Sequence, residues 1–579
     1  MTTMSRTASS GGLGKQQGVR DLRVVVAVAL PFVFPLASGP SVNAWQLMVS
    51  WICAAALMWV GATSRLSKLL RSWLAVVAAV VLLAHNASLG LNLVLSASSA
   101  IAVICMVACR GAGIARDGAL AQRALAAGLL SAALVSAVLG LLQYYGAAKL
   151  LVPWTTEPGV GQAYGNLRQR NQFASLLNLG VVSALWMYSG LTSRARGWIG
   201  GGILFLMIGL AASASRTGLV ELIVIVGLAT YMAHRERRRS SLSGDNAAFQ
   251  LPSPAFFLVL IPFYFAAAWL LPLLIGGETE GMLARLREGS PIGHSRLLLW
   301  GNVLSLIAQH PWGGWGWGEL SYAHYTTLYQ GPRFVEILDN AHNLPLHLAV
   351  ELGIPAAVLI CGGFIWLVVS ARPWRERDPC RLMAWGLLGV IVLHSLLEYP
   401  LWYGPFQMIF GVCLGLLWPD GTQVRETKNL DAGWRRRFSG QRVPRSAAVL
   451  LIAIVLYVGW DYIRISQIYL PRDERLAAYE DNTLEKLRSS WLFADQMQFA
   501  ELTLTPLTPS NAVRIHTLAK RMLHFSPEPR VIVKLIESAE LLGLDDEARF
   551  HAGRFRVAFP AEYAAWLAEE KETPPWARP

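Results

Sequence analysis

Long apolar runs alternate with short connections along most of the chain, and this alternation predicts a polytopic membrane protein. A helix needs about 20 apolar residues to cross a hydrocarbon core of about 30 Å. About thirteen runs approach that length, so the predicted fold is all-α, a polytopic transmembrane helical bundle. The runs lie near Val24–Gly39, Asn43–Gly61, Trp73–Ala87, Leu91–Cys109, Ala124–Gly146, Phe173–Gly190, Trp198–Ser213, Leu219–Ala233, Ala255–Ile275, Leu346–Ser370, Met383–Leu397, Tyr403–Trp418 and Ala447–Tyr469.

Composition and charge agree with a chain whose main partner is the lipid bilayer. Of the 579 residues, 54% are hydrophobic and 15% are charged, and the formal net charge is +13. If segment 1–23 is a cytoplasmic tail, every predicted cytoplasmic connection is basic, as the positive-inside rule requires. The charge therefore indicates orientation in the membrane, and a nucleic-acid partner is not needed to explain it.

The same assignment of segments to the two sides of the membrane predicts the domain organisation. A cytoplasmic tail covers 1–23, a transmembrane core covers 24–470 with a large outer loop at 276–343, and a charged segment covers 471–579. In the last segment, apolar positions recur at i, i+3 and i+4 through Val531–Leu544, which is typical of an amphipathic helix. We expect an α-helical domain on the outer face, which either binds a protein segment or only covers the membrane core.

Six arginines are exceptions to the charge rule, because the predicted orientation places them on the outer side, several of them at the membrane boundary. Arginine in this position is energetically costly and tends to mark functional sites. Its planar guanidinium binds phosphate oxygens through two parallel hydrogen bonds, which would suit a lipid-linked pyrophosphate. Snorkelling to lipid headgroups and local ion pairs are the alternatives. The six are Arg168, Arg170, Arg216, Arg285, Arg287 and Arg296.

Two polar segments adjoin predicted spans on the outer face. Gly165–Phe173 (GNLRQRNQF) places five strongly polar side chains before a span, and capping by Asn171 near the N-cap would explain only one of them. Ser213–Gly218 (SASRTG) lies at a tight turn between two spans, where Ser and Gly are ordinary turn residues. A role in substrate binding is the second interpretation of both segments.

The outer loop contains a tract rich in Trp and Gly, His310–Gly318 (HPWGGWGWG). Its glycines do not form a phosphate-binding loop, because no strand precedes them and no Gly-Lys-Ser/Thr follows. Trp312, Trp315 and Trp317 would form an interfacial aromatic belt, the commoner use of Trp beside a membrane, or stack on sugar rings.

Asp339–Asn343 (DNAHN) follows this tract and precedes an apolar run, so His342 and Asn343 are candidates for catalysis or substrate contact. A lone His is more often structural. A metal site is disfavoured, because His342 and His347 lie five residues apart, off the i, i+4 spacing of a helical zinc pair. The sequence predicts chemistry without a metal or another cofactor.

Several segments together resemble the O-antigen ligase and polymerase (WaaL/Wzy) superfamily. Two of them look like signatures of its PglL-type members, the protein O-oligosaccharyltransferases or pilin glycosylation ligases: Gly165–Ala174 (GNLRQRNQFA) and His394–Phe406 (HSLLEYPLWYGPF). The superfamily resemblance rests on Ser215–Gly218 (SRTG), Ser295–Trp300 (SRLLLW), His310–Gly318 and Asp339–Ala357 (DNAHNLPLHLAVELGIPAA). It covers about residues 165–418 and implies a GT-C-like membrane fold.

The resemblance implies roles for individual residues. His342, Arg216 and Arg296 would be catalytic: the arginines would neutralise a pyrophosphate leaving group, and His342 would accept the proton of an attacking hydroxyl or position a substrate. The predicted substrate-binding residues are Arg168, Gln169, Arg170, Asn171, Gln172, Asn343, Glu398, Tyr399 and Tyr403.

The function implied by the resemblance is en bloc transfer of an oligosaccharide at the periplasmic face of a bacterial inner membrane. The donor would be undecaprenyl-pyrophosphate-linked oligosaccharide, and the acceptor a Ser or Thr hydroxyl of a pilin or other periplasmic protein. Ligation to lipid A core and glycan polymerisation are sister reactions. A lipid-glycan transporter is the non-enzyme alternative, although no internal repeat of the kind found in transporters is visible.

Overall fold

The computed structural model describes residues 7–35, 44–83, 91–243, 251–276, 281–288, 292–421 and 442–572. They form two compact units. The first unit comprises 1–74, 100–289 and 366–455, and the second comprises 75–99, 290–365 and 456–579.

The described residues are helical apart from their connections and one isolated β-bridge between Leu66 and Pro419, which confirms the all-α prediction. The first nine helices precede the long outer loop, and α10 is the first short helix within it. These ten are α1 (Thr7–Val33), α2 (Ala44–Val60), α3 (Lys68–Leu83), α4 (Leu91–Asp117), α5 (Ala119–Tyr144), α6 (Arg170–Tyr188), α7 (Ser193–Ala212), α8 (Arg216–Ser243), α9 (Pro254–Leu273) and α10 (Met282–Glu288). Those that follow are α11 (Arg296–Gln309), α12 (Leu320–Thr326), α13 (Leu344–Leu352), α14 (Ile354–Ala357), α15 (Gly363–Ala371), α16 (Pro379–Ser395), α17 (Gly404–Leu417), α18 (Arg442–Ser466), α19 (Thr483–Leu487), α20 (Ala494–Leu504), α21 (Ala512–Phe525), α22 (Pro529–Leu541), α23 (Asp545–Ala558) and α24 (Pro560–Glu572).

The polytopic membrane character is confirmed by helix length and apolarity. Seven stretches within the described residues are long and apolar enough to cross a membrane, and α2, α16 and α17 are shorter apolar helices. Parts of the predicted spans at 24–39 and 73–87 lie outside the described residues. The seven are Leu95–Asp117, Ala119–Tyr144, Ser193–Ala212, Arg216–Arg238, Pro254–Leu273, Ile354–Arg375 and Arg445–Tyr469.

One predicted span begins later than its sequence suggests. The apolar run at Leu346–Ser370 is divided between α13 and a membrane-length stretch that starts at Ile354. Gly353 separates them with φ of +85°, a conformation that residues with a side chain rarely adopt. A Cβ on Gly353 would also lie 2.2 Å from the carbonyl oxygen of Trp312. The break therefore depends on glycine at this position.

Helix α6 is central to the first unit, where it packs against α5, α7, α8 and α16. Its approach to α8 depends on Gly218, because a Cβ there would lie 2.4 Å from the Cβ of Ala174. This close contact brings polar side chains of the two helices within hydrogen-bonding distance, and these chains form part of the candidate site.

The second unit has two apolar cores that involve the long loop. In one, α11 packs against α13, with Leu299, Val303 and Val350 fully buried. In the other, helices α20–α24 pack around Phe555 and enclose Tyr325 of α12, which is only 2% exposed. Burial of Tyr325 fixes this part of the loop to the C-terminal helices. The domain boundaries expected from the sequence stay a prediction.

Candidate functional site

The loop before α6 is held by a single buried glutamine of α5. The Gln143 amide nitrogen donates to the carbonyl oxygen of Gly165 at 3.1 Å and to Thr155 Oγ1 at 3.0 Å. Its amide oxygen accepts the backbone N–H groups of Tyr164 at 3.1 Å and Gly165 at 2.8 Å. The backbone of this loop is therefore fixed before the polar residues begin.

Arg168 is held in a left-handed backbone conformation, with φ of 58° and ψ of 14°. Such a conformation is uncommon for a residue other than glycine, and it is often found where function constrains the chain. Nε and Nη1 of Arg168 are buried and have no hydrogen-bond partner within the described part of the chain. A guanidinium in this state attracts an anion, because an acceptor would satisfy both buried donors.

The cap of α6 differs from the one expected. Gln169 is the N-cap, and its side chain accepts the backbone N–H of Gln172 at 2.7 Å, so the expectation that Asn171 caps the helix is wrong. Asn171 instead donates to Glu398 Oε1 at 3.0 Å and accepts the hydroxyl of Ser215 at 2.7 Å. Because Asn171 lies within the first turn, its side chain is free to join α6 to two other segments.

The turn before α8 belongs to the same cluster. The Ser215 hydroxyl accepts the backbone N–H of Gly218 at 3.0 Å while it donates to Asn171. Ala214 has φ of 47°, and its carbonyl oxygen accepts Arg285 Nη1 at 3.1 Å. Arg216 is the first residue of α8 and is half-buried. The structure therefore brings the start of α8 next to the start of α6.

The Glu-Tyr-Pro segment completes this end of the first unit. Glu398 is 4% exposed, and its backbone N–H donates to the carbonyl oxygen of His394 at 2.8 Å. The rings of Tyr399 and Tyr403 stack with centroids 6.0 Å apart. We call the cluster around Asn171, Ser215 and Glu398, with Arg168 and Arg216, the arginine end.

Four polar residues that the sequence analysis did not select lie within the first unit: Ser175, Asn178, Glu221 and His394. All are at most 1% exposed. Ser175 Oγ is 2.6 Å from Glu221 Oε1 and 2.8 Å from His394 Nδ1, and Asn178 donates to Glu221 Oε2 at 2.9 Å. Glu221 and His394 are ionisable residues inside apolar runs, which is the sequence signal by which they were identifiable.

His342 lies in the second unit, in a segment held by its neighbours. His342 has φ of 48°, and its backbone N–H donates to Asn340 Oδ1 at 2.9 Å. Trp300 Nε1 donates to the carbonyl oxygen of Ala341 at 3.1 Å. Asn343 is the N-cap of α13 and accepts the backbone N–H of Leu346. The imidazole of His342 is half-buried on this constrained turn.

Arg296 is the first residue of α11 in the same unit. Ser295 caps the helix by accepting the backbone N–H of Leu298 at 3.2 Å. Arg296 and Trp300 lie four residues apart, so they occupy one face of α11. Since Trp300 bonds to the residue before His342, the structure places Arg296 one helical turn from the indole that holds the His342 segment.

The glycine-rich tract packs its backbone against the end of α13. The N–H groups of Trp315 and Gly316 each donate at 2.9 Å, to the carbonyl oxygens of Val350 and Glu351. A Cβ on Gly314 would lie 2.3 Å from the Glu351 oxygen, so a side chain there is excluded. Trp315 Nε1 donates to the carbonyl oxygen of Leu306, and its partly buried ring packs against the core around α11. The aromatic belt and sugar stacking stay predictions.

The other tryptophans and histidines of this region differ in exposure. Trp312 is 81% exposed, whereas Trp317 is partly buried against the core around α11. His347 is 3% exposed, with Nε2 3.6 Å from Glu351 Oε2, so it is a core residue. No group of three or more His, Cys, Asp or Glu side chains in the described ranges has the geometry to hold a metal ion. Metal independence stays a prediction.

The predicted site residues thus fall into two groups. His342, Asn343 and Arg296 belong to the second unit, and the other nine belong to the first. Within the first unit, Asn171, Glu398 and the start of α8 are joined by direct hydrogen bonds.

Three family models match different parts of the chain. The model described as O-Antigen ligase matches residues 201–361, and the model described as Protein glycosylation ligase matches 163–188. A third, described as Virulence factor membrane-bound polymerase, C-terminal, matches 382–573. The first two contain Arg216, Arg296 and His342, and the polar segment before α6.

Two curated relatives come from Acinetobacter baylyi. A general O-oligosaccharyltransferase is 25% identical over 304 residues, which are 50% of this chain and 49% of the relative. A ComP-specific O-oligosaccharyltransferase is 27% identical over 130 residues, which are 22% of this chain and 23% of the relative. The match thus spans about half the length of the first relative. The resemblance stated from the motifs is confirmed: over these parts the chain is similar to the O-antigen ligase and polymerase superfamily and to its PglL-type protein glycosylation ligases.

Proposed function

We propose that the protein transfers a preassembled oligosaccharide en bloc from undecaprenyl-pyrophosphate to Ser or Thr hydroxyls of periplasmic or pilin-like proteins. It would do so as a multi-pass protein of the bacterial inner membrane, with its site facing the periplasm. The observation that carries the proposal is the half-buried Arg168 before α6, whose Nε and Nη1 are buried without a hydrogen-bond partner within the described residues. The names of the two relatives support the reaction class.

Arg168 suits a phosphate ligand for two physical reasons. A buried N–H donor left without an acceptor costs about 1–3 kcal/mol, and an anion with several acceptor oxygens offsets this cost on binding. The N-terminus of a helix also presents unpaired N–H groups and a positive dipole end, which favour phosphate. Arg168 precedes the 19-residue helix α6, so both effects act at one place. A neutral sugar would gain from neither.

The proposed reaction breaks one bond and forms one. The acceptor hydroxyl oxygen attacks the anomeric carbon of the first sugar, and the bond from that carbon to the pyrophosphate oxygen breaks. Undecaprenyl pyrophosphate leaves with the bonding electron pair. Arg216 and Arg296 would neutralise the charge that builds on it, a stabilisation greatest in the transition state.

His342 would take the hydroxyl proton and later release it to water. General-base catalysis of this type is worth about 10²–10⁴-fold. Its constrained turn, with the backbone bonded to Asn340 and Trp300 bonded to Ala341, supports a fixed ring position. Positioning of a substrate by the same ring is the other role that the proposal includes.

The sister reactions are favoured by other matches. The O-antigen ligase model covers both Arg216 and His342, and the polymerase model covers the C-terminal helices. Both reactions would use the same donor and leaving group, and they differ only in the hydroxyl that attacks. Protein is our preferred acceptor, because both relatives are named O-oligosaccharyltransferases.

The experiment is transfer in vesicles that contain the purified protein, a lipid-linked oligosaccharide and a candidate acceptor protein. Mass spectrometry of the acceptor should detect the intact glycan on Ser or Thr. Arg168→Gln should raise the donor KM by about tenfold or more, as expected for loss of a charged contact of about 1.5–3 kcal/mol. Arg372→Gln, a change at an exposed arginine that also has a positive φ of 53°, is the matched control.

Two results would contradict the proposal. If glycan appears on lipid A core or on a growing glycan but never on protein, a sister reaction is the function. If Arg168→Gln leaves the donor KM unchanged, the guanidinium does not meet the donor. A chelator in the same assay tests the expectation of metal-independent chemistry: transfer should persist, and loss that a divalent cation restores would overturn it.

A further inference from the structure

Ser175, Glu221 and His394 form a buried polar triad in which α6, α8 and α16 meet. Ser175 Oγ is in contact with Glu221 Oε1 at 2.6 Å and with His394 Nδ1 at 2.8 Å. Asn178 donates to the other carboxyl oxygen of Glu221 at 2.9 Å and to the carbonyl oxygen of Gly218 at 3.0 Å. None of these contacts is required by helix formation.

Counting hydrogens restricts the protonation of the triad. The Ser175 hydroxyl has one hydrogen but faces two atoms that are acceptors in their simplest forms, a carboxylate oxygen and an imidazole nitrogen. One of the two contacts therefore needs a second hydrogen, carried by Glu221 or by Nδ1 of His394. Because Asn178 donates to Oε2, the proton of a neutral Glu221 is directed from Oε1 towards Ser175.

Burial and charge decide between the two arrangements. Glu221 lies in α8, within one of the seven membrane-span candidates, and is 1% exposed. Among the residues that the structure describes, it has no ion pair with a basic side chain, and its side-chain hydrogen-bond neighbours are Ser175 and Asn178. An ionised carboxylate inside a membrane span is costly unless a cation or several donors compensate it. A protonated Glu221 avoids that cost and satisfies both contacts of Ser175.

We propose that Glu221 is held as a neutral carboxylic acid that donates to Ser175, which in turn donates to Nδ1 of His394, and that this chain positions the arginine end. Glu221 is thereby a positioning residue for donor binding, and the inference rests on the proposed function. The hydrogens run in one direction, from Asn178 through Glu221 and Ser175 to His394. Each of the three helices is tied to the others through it.

The triad lies about one helical turn from the residues that form the arginine end. Ser175 is four residues after Asn171 on α6, and Glu221 is five residues after Arg216 on α8, a rise of about 7.5 Å. The carbonyl oxygen of His394 accepts the backbone N–H of Glu398. A shift of any one helix in the triad would therefore move one member of the Glu398–Asn171–Ser215 chain relative to the other two.

Glu221→Gln tests the proton directly, because a Gln amide reproduces the protonated acid. Its NH₂ group would donate to Ser175 and its oxygen would accept from Asn178. We expect this variant to keep a donor KM within about twofold of the wild type. Glu221→Ala and Ser175→Ala should raise the donor KM by about tenfold, with a smaller change in kcat, because the chain is broken. Glu236→Gln, elsewhere on α8, is the matched control.

Infrared spectroscopy of the protein in detergent supplies a signature that a packing role alone would not change. The infrared difference between the wild type and Glu221→Gln should show the loss of one carbonyl band of a protonated carboxylic acid. Other buried carboxyls such as Glu351 cancel in this difference, and Glu236→Gln should leave the band unchanged. If the Ala variants do not fold, this band and the kinetics of Glu221→Gln still decide the matter.

The outcomes separate this inference from the proposed function. Wild-type protein without transfer activity would count against the proposed function, while the infrared band would still report on Glu221. Loss of transfer in Glu221→Gln equal to that in Glu221→Ala, at normal protein level, would overturn the inference because the ionised form would then be required. Failure of the Gln variant to remove a carboxylic acid band would overturn it as well.

Discussion

Arg168 and Arg216 stand at the ends of helices in the first unit, whereas His342 lies on a connecting turn of the second unit. The arginine end is held by side-chain hydrogen bonds among α6, the turn before α8 and Glu398. The buried triad, about one helical turn further along these helices, adds a second set of hydrogen bonds. The His342 segment is held by contacts to the backbone, from Trp300 and Asn340. An anion receptor must keep several charged groups in register, but a proton acceptor needs only one ring in place.

The largest effect on transfer should come from removing the imidazole ring of His342. We expect His342→Ala to lower kcat of transfer by about 10²–10⁴-fold, as for loss of a general base. The measurement is the rate of glycan attachment at saturating donor. His294→Ala is the control, because His294 is exposed in the same loop, where it contacts Glu336 at 2.8 Å and the ring of Phe334. Wild-type glycan occupancy of the acceptor in His342→Ala would show that His342 has no role in the mechanism.

Replacing an arginine by lysine should have the next largest effect. Arg216→Lys and Arg296→Lys keep the charge but lose the bidentate fork, so we expect transfer to fall by about tenfold or more. Arg372→Lys, at an exposed position outside the outer arginines, provides the baseline. Full activity of both Lys variants would mean that electrostatic attraction alone is sufficient. A fixed arrangement of guanidinium groups would then not be required for donor binding.

Support of the long loop by the C-terminal helices can be tested at Tyr325. Its ring is buried in the core of α20–α24, and its hydroxyl is 3.3 Å from His551 Nδ1. Tyr325→Ala should destabilise the second unit by about 3–5 kcal/mol, whereas Tyr325→Phe should cost about 1 kcal/mol. Thermal unfolding and limited proteolysis of the loop would measure both. Equal stability of the two variants would show that the loop does not depend on this contact.

The smallest effect is the loss of folding stability at acid pH. Burial lowers the pKa of His324 in α12 to about 3, with the nearby Arg333 guanidinium contributing. The unfolded imidazole titrates near 6.5, so the unfolded state binds more protons below that pH. Stability should fall as the pH drops from about 6.5 towards 3, by about 2 kcal/mol at pH 5. His324→Gln should flatten this dependence of Tm on pH, and the exposed His294→Gln should not.

The helices of this fold were predictable because a bilayer imposes the pattern. Every spanning segment must satisfy its own backbone hydrogen bonds, so long apolar runs had to be helices. The exceptions have local causes. The break at Gly353 depends on a backbone oxygen of Trp312, a contact between two distant segments that hydropathy does not report.

The candidate site was predictable residue by residue but not in its connections. Motifs selected Asn171 and Glu398, yet the bond between them joins residues 227 positions apart. Glu221 and His394 were missed because each alone is a single ionisable residue in an apolar run. Their importance depends on Ser175, which lies 46 and 219 positions away from them. Pairings at these separations follow from helix packing, which one sequence does not specify.

Nε and Nη1 of Arg168, which are buried without a partner within the described residues, also affect how the product would leave the site. A glycosylated pyrophosphate is a diester, and release of the glycan converts it to a monoester with an additional ionisable oxygen. A receptor whose empty state leaves a charge unsatisfied therefore retains the product more strongly than the substrate it started with. We expect release of undecaprenyl pyrophosphate to limit turnover, and added undecaprenyl pyrophosphate to compete with the donor at lower concentrations than the donor's own KM.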